Sequence, residues 1–187
     1  ELERGMGLLL LGIPVSPSSG IPQDGFLVVQ RPPAFRTAVQ EPAMQFGIFD
    51  QNDRNGWALA DQYEERLRLA ELYDELGFDR YHMSEHHTTP FSTTPSPSAF
   101  VSALIQRTTR LRFSPLVNLL PVHHPLSLAE EICMLDQLSR GRFEFGVGRG
   151  ASPHELVAFG IDPDLAPQMY AEAFDIIRAY FRAGTSL

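Results

Sequence analysis

From Met44 onward the chain alternates between two spacings of apolar residues. MQFGIFD at 44–50 places apolar side chains at alternate positions and is rich in Phe and Ile, the pattern of a buried strand. LADQYEERLRLAELYDELG at 59–77 instead sets Leu59, Tyr63, Leu67, Ala70 and Tyr73 or Asp74 along a helical stripe, and Gly77 supplies the stop. The alternation continues with FDRYHMSE as a strand, HHTTPFSTTPSP as a loop and SPSAFVSALIQRT as a helix that opens on a Ser cap and a Pro. LRFSPLVNLL is then a strand, PLSLAEEICMLDQLSRG a helix closed by Gly141, RFEFGVG a strand and APQMYAEAFDIIRAYFRAG an amphipathic helix. Four strands alternating with four helices predict β-α-β units and a parallel sheet, so the expected class is α/β. A doubly wound sheet and a closed barrel fit the alternation equally well. An eight-unit barrel needs roughly 250 residues, so a barrel of this kind would be present here only by half.

Residues 1–43 follow neither spacing. They carry six prolines and end in PPAFRTAVQEPA, so an extended or disordered lead-in is expected there, separate from a domain at 44–187. Its apolar run, MGLLLLGIPV at 6–15, is broken by two glycines and a proline and falls short of the roughly 20 residues of a membrane helix. The acidic ELERG before it makes a poor signal peptide.

Composition removes several kinds of chemistry. The net charge of −8 comes from 23 acidic groups against 15 basic ones, all arginine, so no basic stripe marks a nucleic-acid surface. A chain without lysine has no residue for a pyridoxal Schiff base or a Walker-type phosphate loop. The lone Cys133 excludes a disulfide framework within one chain and points to a reducing, cytoplasmic setting.

Three strand exits carry candidate chemistry. His82, Glu85 and His86 fit H-x-x-E-H, which zinc peptidases use when a helix brings both histidines onto one face. Here the motif follows a helix-ending glycine and reads as a strand, in which four residues span about 13 Å, so a zinc hydrolase is the weaker reading. His86 and His87 stand instead where the strand enters its loop, the edge that carries active sites in parallel α/β folds. RFEFGVGRGAS at 142–152 has the G-x-G-x-x-A spacing of a dinucleotide turn, but no second strand ending in an acid follows it. What remains is a glycine-rich exit with one cation, Arg149, suited to a phosphate. PLVNLLPVHHP at 115–125 is a third exit; His123 and His124 within it are expected to be structural or surface residues. Asp50, His86, Asn118 and Arg149 fall at equivalent strand ends and would converge on one mouth.

MQFGIFD, GFDRYHMSEHH, LVNLLPVHHPLSLAEEICMLDQLSRGRFEFGVGRG and MYAEAFDII together resemble the bacterial luciferase-like flavin monooxygenases, over residues 44 to about 183. The resemblance implies the N-terminal half, four β-α units, of a luciferase-like (β/α)8 TIM barrel. It implies reduced FMN, or in one branch the deazaflavin F420, at the C-terminal mouth, and O2-dependent oxidation of an aldehyde or another small organic substrate. A separate flavin reductase and a dimer in the complete family form go with it. His86 matches the first histidine of the family's EHH, important for catalysis in luciferases, and Arg149 the arginine that holds the FMN phosphate. The family's non-proline cis peptide beneath the flavin ring maps onto Leu116 and Val117 or shifts to Asn118, which makes these three candidate cofactor contacts. Asp50 and His87 remain substrate-pocket candidates. Gly148 stands where luciferase has a cysteine, so no thiol chemistry is expected there. A half barrel would leave the outer edges of its first and fourth strands unpaired, which keeps an inactive fragment or a non-enzymatic assembly module as alternatives.

Overall fold

The structure, a computed structural model, describes residues 27–29 and 44–183. Its elements in chain order are β1 (Leu27–Val29), β2 (Gly47–Asp50), α1 (Leu59–Leu76), β3 (Arg80–Met83), α2 (Pro97–Arg107), β4 (Arg112–Pro115), β5 (Asn118–Leu119), a 3-10 turn at Leu120–Val122, α3 (Pro125–Ser139), β6 (Phe145–Gly148), α4 (Pro153–Ala158) and α5 (Ala166–Arg182). β2, β3 and β4 form a parallel sheet in the order of the sequence, and β5 pairs parallel with β6. A parallel bridge from Phe113 to Phe143 joins the two sheets, so four β-α units follow one another around a half barrel.

Parallel neighbours in register point the same way, and this sorts the strand residues onto two faces. Tyr81, Met83, Phe113, Phe145 and Val147 are buried against the helices, in a core shared with Leu67, Val101, Leu104, Leu128, Phe174 and Ile177. The other face is polar near the strand starts. The fully buried Glu144 carboxylate sits between the Arg80 guanidinium at 3.1 Å and that of Arg112 at 2.6 Å, two arginines that are register partners. Such a carboxylate is tolerable in a desolvated site because both oxygens are met by opposite charge.

The helix ends follow the local chemistry. Gly77 takes a left-handed conformation (φ 84°) and closes α1 by donating to Asp74. At the end of α3 the left-handed residue is Arg140, one place before the expected Gly141, which donates to the Asp136 carbonyl with φ 80°. Ser96 caps α2 through the amide of Ala99. The stripe expected for α1 is shifted: Gln62, Leu67, Ala70 and Asp74 are buried, whereas Leu59 is exposed.

Two expectations need correction, and one element was missed. The strand at 111–120 is broken, because the Leu116–Val117 peptide is cis and turns the chain from β4, beside β3, to β5, beside β6. The short helix α4 lies in a stretch to which no element was assigned. Finally, the outer edge of β6 is not open: β1 pairs antiparallel with it, Val28 opposite Gly146. The rest of the 1–43 lead-in lies outside the described residues.

Asp74 locks the helix layer to the sheet. Its carboxylate accepts from the backbone amides of Thr109 (2.9 Å), Arg110 (2.8 Å) and Leu111 (2.5 Å) and from the Thr109 hydroxyl (3.0 Å), so the start of β4 hangs on the end of α1. Burial raises its pKa, but these hydrogen bonds outweigh burial and hold it below the usual carboxylate value. Asp74→Ala leaves the amides without their acceptor and is expected to cost roughly 3 kcal/mol or more, measured as the loss in a urea unfolding curve.

Candidate active site

The candidate residues lie where β2, β3, β5 and β6 end. β3 runs out at Met83 and is followed by Ser84, Glu85, His86 and His87. Glu85 is buried, 1 % exposed, and its side chain turns back under the mouth. One carboxylate oxygen lies 2.7 Å from His87 Nε2 and 2.7 Å from His123 Nε2, and the other accepts from the Leu119 amide at 2.8 Å. Burial pushes the carboxyl upward, yet the hydrogen bonds from His123 and His87, the His123 charge and the Leu119 amide together hold it below its usual value. For His123 burial favours the neutral ring, and the bond to Glu85 with the charges of Glu85 and Glu131 reverses that and raises it.

His86 points to a different acid. Its Nδ1 lies 2.9 Å from Glu155 Oε1, and Glu155, in the first turn of α4, is itself 1 % exposed. A carboxylate can only accept, so Nδ1 carries the proton and Nε2 is the ring atom left for chemistry. The His86 ring stands edge-on to Phe91, and the His87 ring edge-on to Phe159 at 4.8 Å between centroids. The two histidines therefore belong to separate acid pairs reached from one strand exit.

The floor between β3 and β6 is built by close approach. Leu116 donates to the Met83 carbonyl at 2.7 Å and continues the β3–β4 ladder up to the cis bond. A side chain at position 146 would overlap the Pro115 carbonyl, and one at 148 would overlap Val117. Asn118 is buried, with its Nδ2 donating to the Gly146 carbonyl at 3.2 Å and its Oδ1 left without a donor. Arg149 is half-buried directly after β6, before Gly150 at φ 86°. An orphaned buried acceptor, a glycine floor and an adjacent guanidinium suit a planar group that carries N–H donors and a phosphate, and so fit a flavin mononucleotide.

His86, Leu116, Val117, Asn118 and Arg149 thus cluster at one end of the half barrel. Asp50 does something else: it accepts from the Asn52 amide at 2.7 Å and from the Tyr81 hydroxyl, and pairs with Arg66 at 3.4 Å. These contacts fasten β2 to α1 and leave Asp50 a scaffold residue of the rim. His87 is half-buried in the Glu85 cluster. His82 lies within β3, apart from the His86–Glu155 pair, and among the described residues no set of His, Cys, Asp and Glu is arranged to hold a metal ion. The sequence reading missed Glu155 and the joining role of Glu85 and His123. An acid just after the Ser-Pro start of a short helix was the available signal for Glu155. Nothing local links Glu85 to His123, 38 residues away.

The model of the luciferase-like monooxygenases matches residues 44–186. The chain belongs to this family. The y4wF protein of Sinorhizobium fredii is 53 % identical over 141 residues, 75 % of this chain and 41 % of that protein. Among solved structures, the monooxygenase RslO1 from Streptomyces bottropensis is 36 % identical with a TM-score of 0.70, covering 72 % of this chain and 42 % of that one. The oxygenating constituent of 3,6-diketocamphane monooxygenase from Pseudomonas putida, a type II Baeyer-Villiger monooxygenase in complex with FMN, is 28 % identical with a TM-score of 0.68, covering 72 % and 39 %. The chain therefore spans less than half the length of each of these proteins. No helix among the described residues is long and apolar enough to cross a membrane.

The Glu85–His123 pair gives stability a bounded pH range. With Glu85 depressed, its contribution is present above the unfolded carboxylate value and is lost as pH falls through the folded one. With His123 raised, its contribution is present below the unfolded histidine value and is lost as pH rises through the folded one. Melting temperature followed against pH should be highest between these two limits, and Glu85→Gln should flatten both flanks.

Proposed function

We propose that this chain carries the flavin-facing half of a monooxygenase site, in which reduced FMN and O2 oxidise an aldehyde-like or other small organic molecule. The observation that carries the reading is the grouping at one strand mouth of Arg149, the floor at 116–118 and a histidine keyed by a buried acid. Arg149 would hold the phosphate, and Asn118 would offer its spare Oδ1 to a ring N–H. Leu116 and Val117 would lie against the ring. Flavin supplies the electrons and the activation of O2.

The protein's own part is placement and proton handling. Glu155 fixes the His86 tautomer and steadies the ring when it is charged, so Nε2 can take up or deliver one proton beside the reacting atoms. Phe91 and Phe159, exposed rings at the rim, pack edge-on to the two histidines and hold their ring planes. Reduced flavin would come from a separate reductase and the complete form would be a dimer, as in the family reading above, with the cytoplasmic setting that the lone cysteine suggests.

Fluorescence titration with FMN, riboflavin and F420 tests this. Arg149→Ala removes a charge-assisted contact of about 1.5 to 3 kcal/mol, so FMN should weaken by roughly 10- to 100-fold while riboflavin, which has no phosphate, is unaffected. His86→Ala should leave both affinities near the wild-type values and slow O2 consumption with reduced FMN. Exclusive binding of F420, or equal weakening of FMN and riboflavin in folded Arg149→Ala protein, would overturn the assignment.

A further inference from the structure

Three N–H groups from three different segments converge on the Glu85 carboxylate. His87 belongs to the exit of β3, Leu119 to β5 and His123 to the stretch between the 3-10 turn and α3. All three approach as donors, and only an ionised carboxylate accepts at both oxygens with no hydrogen of its own. Glutamine has the same shape but one acceptor oxygen and an NH2 group, so it keeps the Leu119 bond only if both imidazoles give up their Nε2 protons and accept from the NH2 group instead. Alanine removes both oxygens from a site that is 1 % exposed, and the Leu119 amide loses its acceptor.

What is clamped matters more than the clamp. Leu119 pairs with Gly148, and Asn118, the residue before it, pairs with Val147. The cis bond at Leu116–Val117 comes just before them, and the Val117 side chain fills the space opposite Gly148. The β5 strand has only two residues, and it leaves the β3–β4 sheet at the cis bond. The Glu85 bond to the Leu119 amide thus ties the far end of the floor at 116–119 to the strand that also carries His86, as the Leu116 bond to the Met83 carbonyl ties its near end.

We infer that Glu85 is a positioning residue, which sets the floor at 116–119 against β6 and in register with His86 while touching neither flavin nor substrate. The significance for flavin rests on the monooxygenase reading above; the clamp itself does not. The groups that face His123 are Glu85 from the β3 exit, Glu131 from α3 and, across the shared oxygen, His87.

The test compares wild type, Glu85→Ala, Glu85→Gln and Glu85→Asp by three readouts. Amide hydrogen exchange should show Leu119 losing protection in Glu85→Ala, on the order of a hundredfold, while core amides such as Val101 and Ile177 keep theirs. NMR titration of the His123 ring should move its midpoint downward in Glu85→Gln and back toward wild type in Glu85→Asp, where the charge is restored. A side chain that only filled space would leave that titration unmoved. Binding of FMN and riboflavin should weaken together, by roughly tenfold or more, in contrast to the phosphate-selective effect of Arg149→Ala. Unchanged Leu119 protection with an unchanged His123 titration overturns the inference, and so does weakening confined to FMN. If Glu85→Ala or Glu85→Gln does not fold, His123→Asn removes one donor and keeps the carboxylate; it should weaken both flavins by a smaller common factor, and unaltered affinities overturn the inference. If the wild-type chain binds neither flavin, the monooxygenase reading falls for this chain, and the amide and imidazole readouts alone decide the clamp.

Discussion

Strand β6 passes so near the end of β4 and the turn after it that a Cβ at 146 would strike the Pro115 carbonyl and one at 148 the Val117 side chain. The rest of the mouth depends on this close approach. It lets β5 pair with β6 immediately after the cis bond, brings Asn118 within reach of the Gly146 carbonyl, and delivers Arg149 beside the floor made by residues 116–118. A single added methyl group at 146 would strike backbone, which cannot rotate away as a side chain can. The glycines that invite comparison with a dinucleotide turn are therefore explained first by strand packing.

Around that contact the polar groups fall into three clusters. Near the strand starts, the Arg80–Glu144–Arg112 cluster neutralises the inner face. At the same end, Asp74 fastens the end of α1 to the start of β4. At the mouth, two buried carboxylates address two adjacent histidines, Glu155 from α4 and Glu85 from the strand exit. Each acid is buried, and each is tolerable because donors meet its carboxylate. The same matching fixes ring tautomers, so it serves both stability and chemistry.

The alternation of spacings made the four β-α units legible, and the quoted motifs carried the family and the position of His86 and Arg149. The register of apolar residues could not show that 111–120 breaks in two, since Leu, Val, Asn and Leu are compatible with one continuous strand. Asp50 was placed correctly at a strand end, but its role is set by Tyr81 and Arg66, which no local pattern links to it. The acid partners of the histidines were invisible for the same reason. Glu155 is 69 residues from His86, and a contact at that separation exists only once the half barrel has curved.

The direction of β1 has a consequence for assembly. A strand edge offers one row of hydrogen-bonding groups, and on β6 that row is taken up by Leu27–Val29 running opposite to the barrel strands. A fifth strand of a closed barrel would need the same row in the parallel sense. The two arrangements compete for one set of amides and carbonyls, so closure at this edge is an exchange of partners, in which every bond gained by an incoming strand is one released by β1.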